Sequence, residues 1–184
     1  MTEPSEPMTP SEPMTPSEPM TPSEPTAQAP AIALESVRVA GLLEGKRYAV
    51  LGVGMRALDR SREVPVVTIY NYTDDLAVEV LVDVDAREVL AVSAAPAIPA
   101  LAAAERARAL DIVRRDGRLT ESGVDVDTGT GIIVEEVNFG DPRHGHRLVD
   151  LRFGPRQYRV PTAFAVVDLS AEELVTVGLL PLES

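Results

Sequence analysis

Apolar and polar residues alternate most clearly over residues 66–92, and this pattern predicts three consecutive antiparallel strands. Val78, Val80 and Val82 occupy every second position, which is the spacing that places one face of a strand in a core. Residues 85–88 suit a reversing turn, because an Asp carboxylate accepts backbone N–H bonds where the chain turns. The pattern therefore predicts a sheet built from short hairpins.

The strand–turn–strand unit occurs a second time near the C-terminus. Residues 82–92 align without a gap on residues 167–177, with Val, Asp, Ala, Glu and Val recurring in step. Asp83 and Asp168 fall at matched hairpin ends, where capping of the turn explains them. Ser170 is expected to be the turn acceptor of the second copy. The match predicts that one supersecondary unit is used twice.

A helix is predicted over residues 99–115, between the two copies. Pro99 suits its first turn and Gly117 suits its end. We expect the helix to cover the first sheet through one apolar face. The residues of that face are Ala103, Ala107, Leu110 and Val113. No further helix is predicted after the second copy, so one face of that sheet is expected to be uncovered.

The patterns together predict an α+β fold with about eight mostly antiparallel strands, in one sheet or two smaller ones, and one main helix. Residues 1–30 contain MTPSEP three times, and such dense proline disfavours helix and sheet. We expect these residues to form a disordered tail. Residues 33–118 are predicted to form a first α+β unit, and residues 119–184 a second, truncated β unit.

Charge and composition exclude several classes of function. The chain of 184 residues has a formal net charge of −12 and no cysteine. A uniformly acidic surface repels phosphate backbones, so nucleic acid is not an expected partner. Disulfides, thiolate zinc sites and cysteine nucleophiles are excluded. No apolar run is long enough to span a bilayer and no secretory signal pattern is present, so we expect no membrane partner and a cytoplasmic location.

His144 and His146 are the only histidines, and they are candidate metal ligands. Residues two apart in a strand point to the same face, so both imidazoles could hold one ion. A solvated turn is the alternative interpretation.

Five arginines concentrate positive charge in the second half of this acidic chain. They are Arg143, Arg147, Arg152, Arg156 and Arg159. Such a group predicts an interaction surface for an acidic partner or a small anion. The alternative is that these arginines pair with the protein's own carboxylates.

The order of several short segments resembles the N-terminal, non-catalytic domains of copper amine oxidases. The matching segments are LEGK at 43–46, EVLVD at 79–83, RDGR at 115–118, YRVP at 158–161 and AVVDL at 165–169. The resemblance covers about residues 42–178, nearly the whole folded part. It implies two small α+β units in the cystatin-like arrangement, each an antiparallel sheet against a helix, which supply no chemistry of their own.

The active centre of that family has partial counterparts in this chain. The family makes a quinone from the Tyr of a Thr-x-x-Asn-Tyr-Asp/Glu motif, and residues 68–72 read Thr-Ile-Tyr-Asn-Tyr, followed by Thr73 where an acid is expected. The family's copper is held by three histidines, two of them spaced His-x-His, whereas this chain has only two histidines. The catalytic domain of the family has no counterpart here. The resemblance therefore implies no catalytic or cofactor-binding residues and no cofactor, with copper as the alternative.

These observations predict a non-catalytic accessory or protein-interaction module. The expected partner is a separately encoded amine-oxidase-like protein, another protein, or a second copy of the chain. One alternative is a copper- and quinone-dependent amine oxidase or a metal binder that uses Tyr72, His144 and His146. Another is a carrier of a small ligand in a pocket between helix and sheet, near Leu110 and Val113.

Overall fold

The computed structural model describes residues 24–134, 140–154 and 160–181. These residues form two four-stranded antiparallel sheets with helices, so the predicted α+β class is confirmed. In chain order the elements are α1 (Glu24–Glu35), α2 (Val37–Leu43), β1 (Tyr48–Ala57), β2 (Glu63–Asn71), β3 (Leu76–Asp83), β4 (Glu88–Ala95), α3 (Ala103–Asp116), α4 (Arg118–Glu121), a 3₁₀ turn (Val126–Thr128), β5 (Thr130–Ile133), β6 (Leu148–Phe153), β7 (Ala163–Asp168) and β8 (Glu173–Leu179). No helix in the described part is long and apolar enough to cross a bilayer.

Each sheet is a simple meander, with strand order β1-β2-β3-β4 in the first and β5-β6-β7-β8 in the second. The three strands predicted over residues 66–92 are β2, β3 and β4. We call α1, α2 and β1–β4 the first unit, and α3, α4 and β5–β8 the second unit. In both units the helices precede the sheet that they cover.

The repeat in the sequence is also a repeat of backbone geometry. The β3–β4 and β7–β8 hairpins close on matched pairs, Asp83 with Glu88 and Asp168 with Glu173. Both hairpins then carry a bulge at the same distance from the turn, two residues into the returning strand. A bulge leaves one residue without a partner and increases the local twist. The two hairpins therefore present the same bent shape.

The acceptor of each turn is the Asp that ends the outgoing strand. Asp83 Oδ1 accepts from the N–H of Ala86 at 3.2 Å, and Asp168 Oδ1 accepts from the N–H of Ala171 at 2.8 Å. The prediction that Ser170 is the turn acceptor is wrong. The Ser170 hydroxyl accepts instead from the backbone N–H of Arg147 and donates to the carboxylate of Asp75 in the first unit.

Arg87 has the left-handed conformation in the β3–β4 turn, with φ at 53°. This conformation costs an L-residue about 1–2 kcal/mol because of steric crowding at Cβ. Glycine avoids that cost but loses more chain entropy on folding, so its net advantage is smaller. We expect the free energy of unfolding of Arg87→Gly to be about 1 kcal/mol higher than that of Arg87→Ala, as measured by urea denaturation. Both variants lose the same exposed ion pair with Glu35. An Ala variant as stable as the Gly variant would show that the turn adopts another conformation.

The first sheet is covered by the two N-terminal helices. Ala29, Ile32 and Ala33 of α1 are at most 5% exposed and pack with α2 against the inner face of the sheet. The strand residues on that face include Val67, Ile69, Val78, Val80 and Val82. Helix α1 begins at Glu24, so the end of the predicted tail at residue 30 falls inside a packed helix. The rest of that predicted tail, residues 1–23, lies outside the described residues.

The central helix α3 covers the second sheet, which overturns the prediction that it covers the first. It contacts β7 and β8, and its side chains belong to the core of the second unit. The second unit is therefore not left without a helix, and the predicted boundary at residue 118 falls after its main helix. Periodicity identifies an amphipathic helix but does not show which of two neighbouring sheets it covers.

The buried face of α3 also differs from the prediction. Leu110 and Val113 are buried as expected, whereas Ala103 and Ala107 are exposed. The other inward residues are Glu105, Ala109 and Ile112. Gly117 ends the helix with φ at 83°, as predicted, and Pro99 lies before its first turn.

Candidate functional site

A buried ion pair lies at the contact between the two units. Glu105 is in the first turn of α3, Arg147 directly precedes β6, and their side chains are 2% and 1% exposed. Arg147 donates from Nε to Oε1 at 2.5 Å and from Nη2 to Oε2 at 2.8 Å. This two-pronged geometry is the strongest form of a side-chain ion pair.

Glu105 accepts two further hydrogen bonds. The N–H of Ala102 donates to Oε2 at 3.0 Å and so caps the start of α3. The Tyr72 hydroxyl, from the first unit, donates to Oε1 at 2.8 Å. Burial alone would raise the pKa of Glu105, but the hydrogen bonds from Arg147 and Ala102 outweigh it, and the pKa lies below its ordinary value.

Two tyrosine rings of the first unit enter the core of the second. Tyr70 and Tyr72 meet edge to face with their centroids 5.1 Å apart, and both belong to the second unit's buried cluster. The guanidinium of Arg147 lies 4.7 Å from the Tyr70 centroid, and that of Arg47 lies 4.7 Å from the Tyr72 centroid. Burial raises the pKa of both phenol groups, so they act as hydrogen-bond donors near neutral pH.

Matching backbone contacts hold the arginine that precedes a strand in each unit. The N–H of Tyr72 donates to the carbonyl of Arg47 at 2.8 Å, and the N–H of Leu169 donates to the carbonyl of Arg147 at 2.9 Å. The Arg47 side chain then crosses to the second unit, where it donates to the carbonyls of Leu169 and Ser170. Arg47 therefore connects the ends of two hairpins that belong to different sheets.

Asp75 adds another contact across the junction. Its carboxylate accepts from the Ser170 hydroxyl and, at 3.5 Å, from the Tyr70 hydroxyl. Burial raises the pKa of Asp75, and the nearby Asp168 carboxylate adds to the increase. We call the whole group the junction cluster: Arg47, Tyr70, Tyr72, Asp75, Glu105, Arg147 and Ser170. Its donors and acceptors largely satisfy one another, which is the arrangement expected of a rigid connection.

The two predicted metal ligands precede β6 and are not part of a strand. His146 Nδ1 is 2.7 Å from Oδ2 of the buried Asp168. Gly145 between the histidines has φ at 90°, so the strand geometry that motivated the prediction is absent. Among residues 24–134, 140–154 and 160–181, no three His, Cys, Asp or Glu side chains are arranged to hold a metal. Tyr72 is engaged by Glu105, and a copper site remains a prediction.

The predicted arginine surface is divided by the structure. Arg156 and Arg159 lie outside the described residues. The prediction that Arg147 is a surface residue is wrong, because Glu105 draws its guanidinium into the core. A charged side chain can be buried when a counter-charge pairs with it and accepts its hydrogen bonds.

Arg143 and Arg152 pair with carboxylates of the protein itself. Arg143 Nη2 is 2.7 Å from Glu173 Oε1, and Arg152 Nη2 is 2.6 Å from Asp150 Oδ2. These contacts agree with the alternative interpretation, in which the arginines pair with the protein's own carboxylates. They leave less positive charge for an acidic partner than the sequence alone suggests.

The connection between the units is bordered by two grooves. One has a volume of about 750 Å³ and lies beside β5. It is lined by residues 98–101, residues 131–134 and Asp150. The other has a volume of about 340 Å³ and lies beside β4 and the outer face of the first sheet. Ile98 and Pro99 line both grooves.

An uncharged stretch of the chain forms the same connection, although Glu79 and Asp150 of neighbouring strands line the two grooves beside it. No charged residue lies between Glu88 and Glu105. We call residues 89–104 the neutral band; it includes most of β4 and the whole connection to α3. Leu90 is 37% exposed and Ile98 is 53% exposed. Leu90 lies near the β3–β4 turn and Ile98 lies beyond the other end of β4, so the exposed apolar residues are spread along the band.

No protein-family model matches the chain, and a search of the curated proteins finds no match. The resemblance to amine-oxidase N-terminal domains therefore rests only on the short sequence segments that suggested it.

Glu105 and Asp75 are the two members of the junction cluster that carry negative charge, and sequence reasoning missed both. Glu105 follows Ala102 by three residues at the start of an amphipathic helix, a spacing typical of a helix-capping acid. That signal predicts the cap but not the burial. Asp75 has no local signal that separates it from the exposed Asp74 beside it.

Proposed function

We propose that this chain is a non-catalytic accessory module that binds another protein. The strongest support is the neutral band, an exposed stretch without charge on a protein whose formal net charge is −12. Leu90 and Ile98 of the band are exposed although they are apolar, and contact surfaces of proteins are depleted in charge at their centre. The rigid junction cluster beside it holds the two sheets in a fixed relation, as a docking surface requires.

The resemblance to copper amine oxidases fits the same proposal. It implies tandem cystatin-like units, and the helix-then-meander order of both units is compatible with that arrangement. We therefore propose a separately encoded amine-oxidase-like protein as one candidate partner. A cytoplasmic location remains part of the proposal.

The test compares a substitution inside the neutral band with one outside it. Ile98→Asp places a charge in the band, and Val37→Asp is a matched change at an 86% exposed position on α2. We expect the purified wild-type chain to bind a partner that can be captured from its native extract and rebound in purified form. Ile98→Asp should abolish this binding, whereas Val37→Asp should preserve it.

Two results would count against the proposal. One is a chain that stays monomeric by light scattering and binds no protein in a way that depends on Ile98. The other is uptake of copper with a new visible absorbance band and positive quinone staining, which would favour the enzyme that uses Tyr72, His144 and His146.

A further inference from the structure

The free edge of β5 exposes unpaired backbone groups in the larger groove. The N–H of Val134 donates to the carbonyl of Leu148, and β5 pairs with β6 in antiparallel register. Hydrogen-bonded and non-hydrogen-bonded pairs alternate in such a ladder. Gly131 and Ile133 therefore direct their N–H and C=O groups away from β6. Within the described residues, these groups have no backbone partner.

In the described part of the chain, the connection that shares the groove with this edge does not pair with it. Residues 98–101 also line the groove, yet the described residues show no backbone hydrogen bond between them and β5. Leu101 approaches the position of Gly131, where an added Cβ would lie 3.1 Å from its Cδ2. The groove is thus open beside a strand edge, and this is the geometry that accepts one more strand.

Asp150 supplies a specific polar feature in the same groove. Its Oδ2 accepts from Arg152 at 2.6 Å, while its Oδ1 is buried and has no hydrogen-bond partner in the described part of the chain. The Asp150 side chain is 19% exposed and its carboxylate has unused hydrogen-bonding capacity, so a donor that reaches the exposed part gains binding energy there. A cationic donor gains most, since the acceptor is a carboxylate.

The distance from the free edge to Asp150 fits a long basic side chain. Asp150 is paired with Ile132 of β5, so a strand added at the free edge would lie two strand spacings, about 9.5 Å, from β6. Ile132 lies between them and is 67% exposed. The aliphatic stem of an Arg or Lys could pack on Ile132 while its charged end reaches Asp150.

Net charge favours a different protein over a second copy as the occupant. The chain has a pI of about 4.6, so two copies repel each other at neutral pH, whereas a basic segment is attracted. The geometry points to a partner's extended segment that pairs with β5 and places an Arg or Lys over Ile132 onto Asp150. This inference rests on the proposed function and specifies its partner and binding mode.

The test uses a defined peptide and the full chain. The probe is the acetylated and amidated heptapeptide Thr-Val-Thr-Arg-Thr-Val-Thr, and its control has Glu in place of Arg. We expect NMR shifts concentrated at residues 98–101 and 130–134, with slower hydrogen exchange at the amides of Gly131 and Ile133. The Glu peptide should bind about tenfold more weakly, because it places like charge at Asp150.

Three variants isolate the contribution of Asp150. Asp150→Asn should weaken binding of the Arg peptide about tenfold and remove the preference over the Glu peptide. Asp111→Asn removes the same charge from an exposed residue of α3, and it should leave binding unchanged. Ile132→Lys provides Asp150 with a cation from within the chain, and it should weaken the Arg peptide about tenfold.

Failure of this inference and failure of the proposed function give different results. No peptide binding, equal binding of the two peptides, or shifts at the β4 edge would overturn the inference. If the captured partner still depended on Ile98, the proposed function would stand. Dimerisation of the wild-type chain that Ile132→Lys abolishes would assign the groove to a second copy and would also overturn the inference.

Discussion

Replacing Glu105 with Gln is expected to lower the free energy of unfolding by about 3–5 kcal/mol. The substitution preserves the shape of the side chain but leaves the Arg147 guanidinium buried without its counter-charge. It also weakens the bond from the Tyr72 hydroxyl, which connects the two units. Urea denaturation followed by circular dichroism measures the loss directly.

Two further variants make this expectation specific to the buried pair. Asp111→Asn removes an exposed carboxylate from the same helix and should change stability by less than about 0.5 kcal/mol. The double variant Glu105→Leu with Arg147→Met should recover much of the loss, because apolar side chains of similar volume replace the pair. A loss below about 1 kcal/mol in Glu105→Gln would mean that water reaches Arg147.

The effect of Glu105 should depend on pH in one direction. Its pKa in the folded chain lies below the ordinary value of 4.5, so its stabilising contribution is complete above that pH and is lost as the pH falls through the folded value. The stability difference between wild type and Glu105→Gln should therefore shrink in acid. Asp75 acts in the opposite sense, since its raised pKa removes stability as the pH rises past 3.8.

Placing a charge at Ala33 is expected to destabilise the first unit by about 3 kcal/mol or more. Ala33 is fully buried between α1 and the first sheet, with Ile32 and Val39 in the same cluster. A carboxylate there has no partner, and burial of an unpaired charge costs several kcal/mol. Thermal unfolding of Ala33→Asp, compared with wild type, measures the effect.

The neighbouring Ala31 provides a matched control. It lies in the same helix but is exposed, so Ala31→Asp should cost only the lower helix propensity of Asp, about 0.5–0.7 kcal/mol. Equal losses in the two variants would mean that α1 does not pack on the sheet through the face that contains Ala33.

The hairpins could be predicted from sequence because their signals are local. Period-two alternation and an Asp at each hairpin end identify β3–β4 and β7–β8, and the gapless match between residues 82–92 and 167–177 predicts that the two hairpins share one shape. The bulge that both contain is visible only in the structure. Each of these features depends on residues within a few positions of one another.

Helix α1 is not predicted from the sequence because of its proline. Pro30 lies inside the helix, and an interior proline usually breaks helices at a cost of about 3 kcal/mol. Burial of Ala29, Ile32 and Ala33 against the sheet offsets that cost. Their spacing of three and four residues is typical of an amphipathic helix, but the proline repeat before it favours a disordered tail.

The junction cluster could not be predicted, because its members are distant in the sequence. Tyr72 and Glu105 are separated by 33 residues, and Glu105 and Arg147 by 42. Acidic and basic residues in a helix or next to a strand are normally solvated. These three side chains become a buried network only because the two sheets pack against each other at this place.

The sharing of tyrosine rings across the junction has a consequence for how the chain holds together. The rings of Tyr70 and Tyr72 extend from the first sheet into the core of the second, so the second half has no finished interior by itself, whereas the first half has a separate core of its own. We therefore expect that unfolding of the first half exposes the core of the second, so that the second half does not stay folded alone although the sequence repeats one hairpin unit in both.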